Sequence, residues 1–299
     1  MKNLKYTTLL LLTVLFTSSL FAQQKVYVSN NRFATAILEK WASEFEKQNP
    51  DIDIVFVNAN DKNADLNFVI NSEKSLETVY SVGRYALVPF TTSENPLLED
   101  LNKRRLNNRR LQSLFFVKDI LEESIGFQKR LESDDIVIYS ARNANLFDEV
   151  FASHFGYEAA DIKGKKILGD DSFLINAIKK EEIGITYNPL NYLFDISSKS
   201  LEEGLSLIPL DLKREQREAL SGDLSQIISV LENDEVSLIP VSSFGFVPET
   251  VSLEAQKFIS WVLTEGQNFN NDFGFLKVDS KVLTAQIDDL SKSTLVAAK

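Results

Sequence analysis

The 299-residue sequence has no cysteine, one histidine, one methionine and only eleven glycines. Without cysteine there is no disulfide, no thiol nucleophile and no thiolate-held zinc or iron–sulfur centre. A single imidazole leaves a histidine-rich metal set out of reach and gives a His–carboxylate catalytic pair one candidate, His154. That residue ends a helical pattern, where the helix dipole favours a cation, so its expected role is structural. Three catalytic or nucleotide signatures are also missing: a Gly-x-Ser-x-Gly elbow, a Gly-x4-Gly-Lys phosphate loop, and a Gly-x-Gly-x-x-Gly turn after the first strand. Together these absences argue against an enzyme. No catalytic residue, no metal site and no cofactor is expected.

Long apolar runs are scarce too. The only one lies between Leu9 and Phe21, behind Lys2 and Lys5 and just ahead of Leu20-Phe21-Ala22 and Gln23. It is shorter than the roughly 20 residues a bilayer requires. A basic start, a short apolar stretch and a small residue at the cut describe a cleaved secretory leader. Residues 1–22 are therefore read as a signal peptide, and the mature chain as a soluble, periplasmic protein. The formal charge is −11; loss of the leader's two lysines makes it more negative still. Such a charge disfavours polyanionic partners, so no nucleic acid is expected. A small anion is not disfavoured, because local N–H groups and one arginine act at short range while distant charge is screened.

What the sequence does have is an apolar content of 44% and a repeated alternation of strand and helix patterns. Val26–Ser29 reads as a strand, and Phe33, Ile37, Leu38, Trp41 and Phe45 form a helical stripe that Asn49-Pro50 ends. Residues 52–57 and 65–70 read as further strands, which makes a βαβ unit with parallel pairing. Tyr80–Phe90 is another apolar strand, and Leu97–Phe116 reads as one helix. Its basic cluster, Lys103, Arg104, Arg105, Arg109 and Arg110, is expected to be a solvated face.

The alternation then resumes. Strands are expected at 136–139, 166–168, 183–187, 205–210 and 236–241. Helices are expected at 146–155, 173–180, 189–194, 213–220, 224–231 and 253–264, with a last one from Leu283. Two runs of α/β alternation predict an α/β protein of two lobes, each a mostly parallel sheet flanked by helices. The joints are placed at the chain crossings. Residues 23–92 and 235–299 then form a discontinuous first lobe, and residues 93–234 the second. Trp261 is expected to pack with residues 23–90.

In parallel α/β sheets ligands sit beyond the carboxyl ends of strands, where loops enter helix N-termini that favour anions. Ser29, Asn30, Asn31 and Arg32 fill the first such loop, and Asn71 and Ser72 follow the third strand. Ser140, Arg142, Asn143 and Asn145 occupy the loop after the 136–139 strand, where Arg142 offers a forked donor suited to oxyanions. Asp170 and Asp171 precede a helix, and Tyr187 and Asn188 end a strand. Ser29 or Asn31 has an alternative role as a helix cap, and the two aspartates suit an N-cap better than a ligand.

Three stretches resemble the type II periplasmic binding proteins, and specifically the phosphate-type substrate-binding proteins of ABC transporters. Phe33–Pro50 is similar to that family's first helix. Val82-Gly83-Arg84-Tyr85-Ala86-Leu87-Val88-Pro89 with Asn95-Pro96 and the Leu111–Phe116 end is similar to its interlobe strand and following helix. Phe258–Gln267 with Phe273-Gly274-Phe275-Leu276 is similar to its C-terminal segment. The resemblance implies a binding-protein-like fold and capture of a small oxyanion, phosphate first, between the lobes. It further implies delivery to the membrane permease of an ABC transporter, by a chain read as a monomer. In one loop the sequence departs from the family: where Ser-Gly-Thr is usual, Asn143-Ala144-Asn145 follows Arg142, which removes two hydroxyls and a close backbone approach. The alternative reading is an interaction or sensor protein of the same fold, docked to a membrane partner without a tight small ligand.

Overall fold

The computed structural model describes residues 23–59, 61–70, 78–116, 137–141, 146–167, 171–180, 184–250 and 252–297. The chain begins β1 (Gln24–Ser29), α1 (Thr35–Gln48), β2 (Ile52–Val57) and β3 (Leu66–Ile70). α1 buries Ile37, Leu38, Trp41, Ala42 and Phe45, the i, i+4, i+8 stripe that a helix over a sheet requires. Lys40 and Glu44, 2.7 Å apart, pair one turn apart on its outer side. The helix stops at Asn49, whose N–H still reaches the Phe45 carbonyl, because Pro50 cannot continue the ladder. β1 lies parallel to β2 and to β3, the pairing that a helical crossover imposes.

The centre of the sheet is β4 (Tyr80–Thr92), a strand of 13 residues. From Tyr80 to Ala86 it pairs antiparallel with β9 (Val241–Pro248), and from Leu87 to Thr91 antiparallel with β7 (Gly184–Pro189). One strand thus serves two sheet halves. Beyond β7 come β5 (Val137–Ala141) and β6 (Lys165–Ile167), parallel to each other, and β5 is parallel to β7. The whole order is β2-β1-β3-β9-β4-β7-β5-β6, with β8 (Leu205–Leu207) on β4. This is a mixed α/β architecture. Parallel pairs lie toward both edges, and antiparallel pairs where the chain passes between halves.

Helices cover the faces: α2 (Leu98–Lys103), α3 (Asn108–Phe115), α4 (Leu146–His154), α5 (Asp171–Ile178), α6 (Leu190–Leu193), α7 (Arg214–Leu220) and α8 (Leu224–Asn233). After β9 come α9 (Leu253–Trp261), a π-helical turn Val262–Gly266, α10 (Gln267–Asn270) and α11 (Ser280–Ala297). None of the described helices is long and apolar enough to cross a membrane. The α9 face meets α1: the Trp261 indole donates to Gln48 Oε1 at 3.1 Å and packs edge-on against Phe45. Trp41 is fully buried and donates to the Gly266 carbonyl at 2.9 Å.

Among the elements that differ from the sequence expectation, three stand out. The single helix over 97–116 is two, because Leu106 leaves the helix to exchange hydrogen bonds with Pro209 and Asp211. Asn107 then caps α3 by accepting from the Arg110 N–H at 3.0 Å. The strand expected at 236–241 is a buried apolar turn that ends at Pro240, and the strand begins at Val241. Proline at the end of an apolar run removes a ladder donor, so pairing starts after it. Lastly, the 253–264 helix gives way to a π-turn from Val262.

Candidate functional site

β1 ends on Ser29 and the chain turns through Asn30, Asn31 and Arg32 into α1. Ser29 is buried, and its Oγ accepts the Phe68 N–H at 2.8 Å, which ties the end of β1 to β3. Asn30 Oδ1 accepts the Thr35 hydroxyl at 3.0 Å, and Asn31 Oδ1 accepts the Phe33 N–H at 3.0 Å. Neither Ser29 nor Asn31 caps α1, whose N-cap residue is Ala34, and no side chain there accepts a bond from the first turn. The loop is therefore internally braced while the helix start behind it keeps its positive end. Arg32 is exposed on this loop.

The next residue points inward. Phe33 is 5% exposed and sits at the centre of a ring cluster. Its centroid lies 5.3 Å from Tyr85, 5.1 Å from Phe147, 5.8 Å from Phe244 and 5.1 Å from Phe275. All four of these contacts are edge-on, the favoured arrangement of aromatic quadrupoles. Phe147 belongs to α4 and Tyr85 to the shared strand β4, so the β1–α1 loop touches the β5–β6–β7 half directly. The same contact carries one polar bond: Asn191 Nδ2 of α6 donates to the Phe33 carbonyl at 3.0 Å. That bond fixes the amide orientation, because a carbonyl can only accept. Asn191 Oδ1 is then a buried acceptor with no partner among the described residues. Gly274, at φ 79°, lets the C-terminal segment pass close by; a Cβ there would lie 2.9 Å from Asn191 Cα.

Tyr187 and Asn188 close β7. Both are buried, and Tyr187 lies inside the second half, stacked on Phe151 at 3.7 Å with its hydroxyl donating to the buried Asp148 carboxylate. Asn188 pairs with Val88 of β4. Ser140 lies in β5, opposite Lys166 of β6, and Asp171 is the first residue of α5. Asn71, Ser72, Arg142, Asn143, Asn145 and Asp170 lie outside the described residues. The structure thus brings together the Ser29–Phe33 loop, the start of α4 and the β7–α6 corner.

Sequence reasoning missed Phe33, Asp148 and Asn191. Phe33 reads as part of the α1 stripe. Asn191 is a lone polar residue in an apolar run, and Asp148 stands beside Glu149, which gives it the look of an ordinary surface acid.

Two carboxylates are held below their ordinary range. For Glu44 the hydrogen bonds from Lys40 and then Lys47 are the cause, and for Asp195 those from Ser198. Both belong to solvent-facing positions outside the loops above. No group of three or more His, Asp or Glu side chains placed to hold a metal occurs among the described residues. His154 ends α4 with Nε2 2.8 Å from the Ser237 carbonyl, to which it must donate.

Neither a protein-family model nor a curated protein matches the chain. Solved structures do. A phosphate ABC transporter substrate-binding protein with bound phosphate from Clostridium perfringens aligns at TM-score 0.55 and 15% identity, covering 86% of this chain and 100% of that one. An ABC-type phosphate transport receptor from Vibrio cholerae aligns at TM-score 0.56 and 11% identity, covering 85% and 100%. The sulfate-bound regulatory domain of an OxyR2 E204G mutant from Vibrio vulnificus aligns at TM-score 0.50 and 11% identity, covering 84% and 99%. At these identities the likeness is one of fold, which is that of the type II periplasmic binding proteins.

Proposed function

We propose that the protein is an exported, non-enzymatic solute-binding protein that captures a small oxyanion, phosphate first, between two lobes and presents it to the permease of an ABC-type importer. The lobes are residues 23–92 with 235–299, and residues 93–234. The exchange of β4 partners between Ala86 and Leu87 supports a crossing in that region. Residues 1–22 act as the leader, and the mature chain works as a periplasmic monomer without cofactor.

The observation that carries this reading is the junction at Asn191. There the uncapped start of α1, the β7–α6 corner and a buried, unpartnered amide oxygen converge between the two sheet halves. Helix-start N–H groups supply donors to an anion, and Asn191 Oδ1 supplies the acceptor that a protonated oxyanion needs. Arg142 completes the set with a forked donor from the second lobe. Two of the structural neighbours are proteins of phosphate transport, in agreement with this class of ligand.

Calorimetry with phosphate and sulfate tests the reading. Wild type should bind phosphate. Arg142→Ala should weaken it by about ten- to hundredfold, the equivalent of losing one charge-assisted hydrogen bond. Arg142→Lys should recover only part, because a point charge cannot reproduce the fork. No heat with either anion contradicts the proposal. The docking or sensor alternative is favoured by one observation, the cluster of rings around Phe33 that fills the space between the halves.

A further inference from the structure

A groove of about 770 Å³ lies between β8, α7 and the end of α2, and none of the loop residues above lines it. Its floor is apolar: Val88, Phe194 and Ile208 are buried, and Leu207 is half-buried. Its rim is cationic. Arg105, Arg214 and Arg217 line it against one carboxylate, Glu218. Glu218 is already paired with Arg214 on its own helix, with Nε and Oε1 2.7 Å apart. Arg217 donates Nη1 to the Leu212 carbonyl, which fixes its guanidinium at the rim.

Arg105 makes no side-chain hydrogen bond or ion pair among the described residues. Its backbone is held in place by Arg110, which donates Nη1 to the Arg105 carbonyl at 2.9 Å. The whole chain has 43 acidic against 32 basic side chains, so three guanidinium groups over one apolar floor reverse the local sign. This is also where part of the basic cluster of residues 103–110 goes: Arg105 faces a groove, while Lys103 pairs with Glu99 at 2.5 Å.

We infer that this groove is a second binding site, for a small amphiphilic carboxylate whose apolar body rests on Phe194 and Leu207 and whose head is taken by Arg105 and Arg217. Its volume falls within the range of about 300–1,000 Å³ typical of small-molecule sites. A guanidinium fork matches a carboxylate better than an ammonium does, which suits arginine at the two rim positions that take the head. The site shares no residue with the interlobe junction, so its existence does not depend on the oxyanion reading.

Decanoate, below its micelle concentration, is the probe, with decanol as the uncharged control, in calorimetry on the mature full-length chain. Wild type should bind one decanoate per chain and bind decanol at least about tenfold more weakly. Arg105→Ala lies on the surface and should melt as wild type does. It should weaken decanoate by at least about tenfold while leaving decanol, and any phosphate binding, unchanged. Equal affinity for decanoate and decanol, indifference of decanoate to Arg105→Ala, or no heat with decanoate would each overturn the assignment.

Discussion

Phe33 shows how much one side chain decides in this protein. It follows four polar loop residues and yet is buried among rings drawn from β4, α4, β9 and the C-terminal segment. Phe33→Ala leaves a cavity that four rigid rings cannot collapse into, at a cost of about 3–5 kcal/mol; urea denaturation should show it as a lowered midpoint. Tyr187→Phe is a smaller change with a sharper meaning. It removes the hydroxyl that donates to the buried Asp148, so stability should fall by about 1–3 kcal/mol, while the stack on Phe151 persists. A midpoint equal to wild type would show that the bond contributes nothing net. At this scale the sequence revealed the Ser29–Arg32 turn between β1 and α1, because a strand pattern ends and a helical stripe begins there. It did not reveal Asn191, since a buried acceptor is defined by what surrounds it, and those partners lie 158 residues away at Phe33.

β4 is the element on which the fold turns. Its largely apolar run was legible as a strand, but its change of partner at Ala86–Leu87 was not, because pairing depends on residues far along the chain. The same limit explains β9, displaced by Pro240 from where its apolar run begins. α1 was legible almost to the residue, because a stripe of large side chains with a terminal Asn-Pro is purely local.

Near its start β4 carries a bulge between Ser81 and Gly83. A Cβ at Gly83 would meet Phe244 Cζ at 2.3 Å, and that ring is fully buried. Gly83→Ala should therefore destabilise by about 1–3 kcal/mol, the usual cost of overpacking a core, in thermal or urea melts. Gln286 of α11 braces the same spot: Oε1 accepts the Ser81 N–H at 2.6 Å, and Nε2 donates to the Ser81 carbonyl at 3.0 Å. Gln286→Ala should speed amide exchange at Ser81, an effect that amide-resolved hydrogen exchange reads directly. Unchanged protection there would mean that α11 packs on β4 without holding it.

On the scale of the whole molecule, two sheet halves share one long strand, and their clearest polar contact is the bond from Asn191 to the Phe33 carbonyl. The chain carries a formal charge of −11, so any anion held at this junction depends on short-range donors such as the start of α1. The α/β class was legible because strand and helix patterns alternate and restart along the sequence, whereas the order of strands across the sheet was not, because it is set by pairing between distant segments. The measurement that bears most directly on the account is equilibrium dialysis of the mature protein against radiolabelled phosphate, with sulfate as competitor. One phosphate should be retained per chain, saturably, and Asn191→Leu should weaken its retention, because the protonated oxygen of the anion then lacks an acceptor. Retention of no phosphate at millimolar concentration, or retention unaffected by both Asn191→Leu and Arg142→Ala, would contradict capture of an oxyanion between the halves.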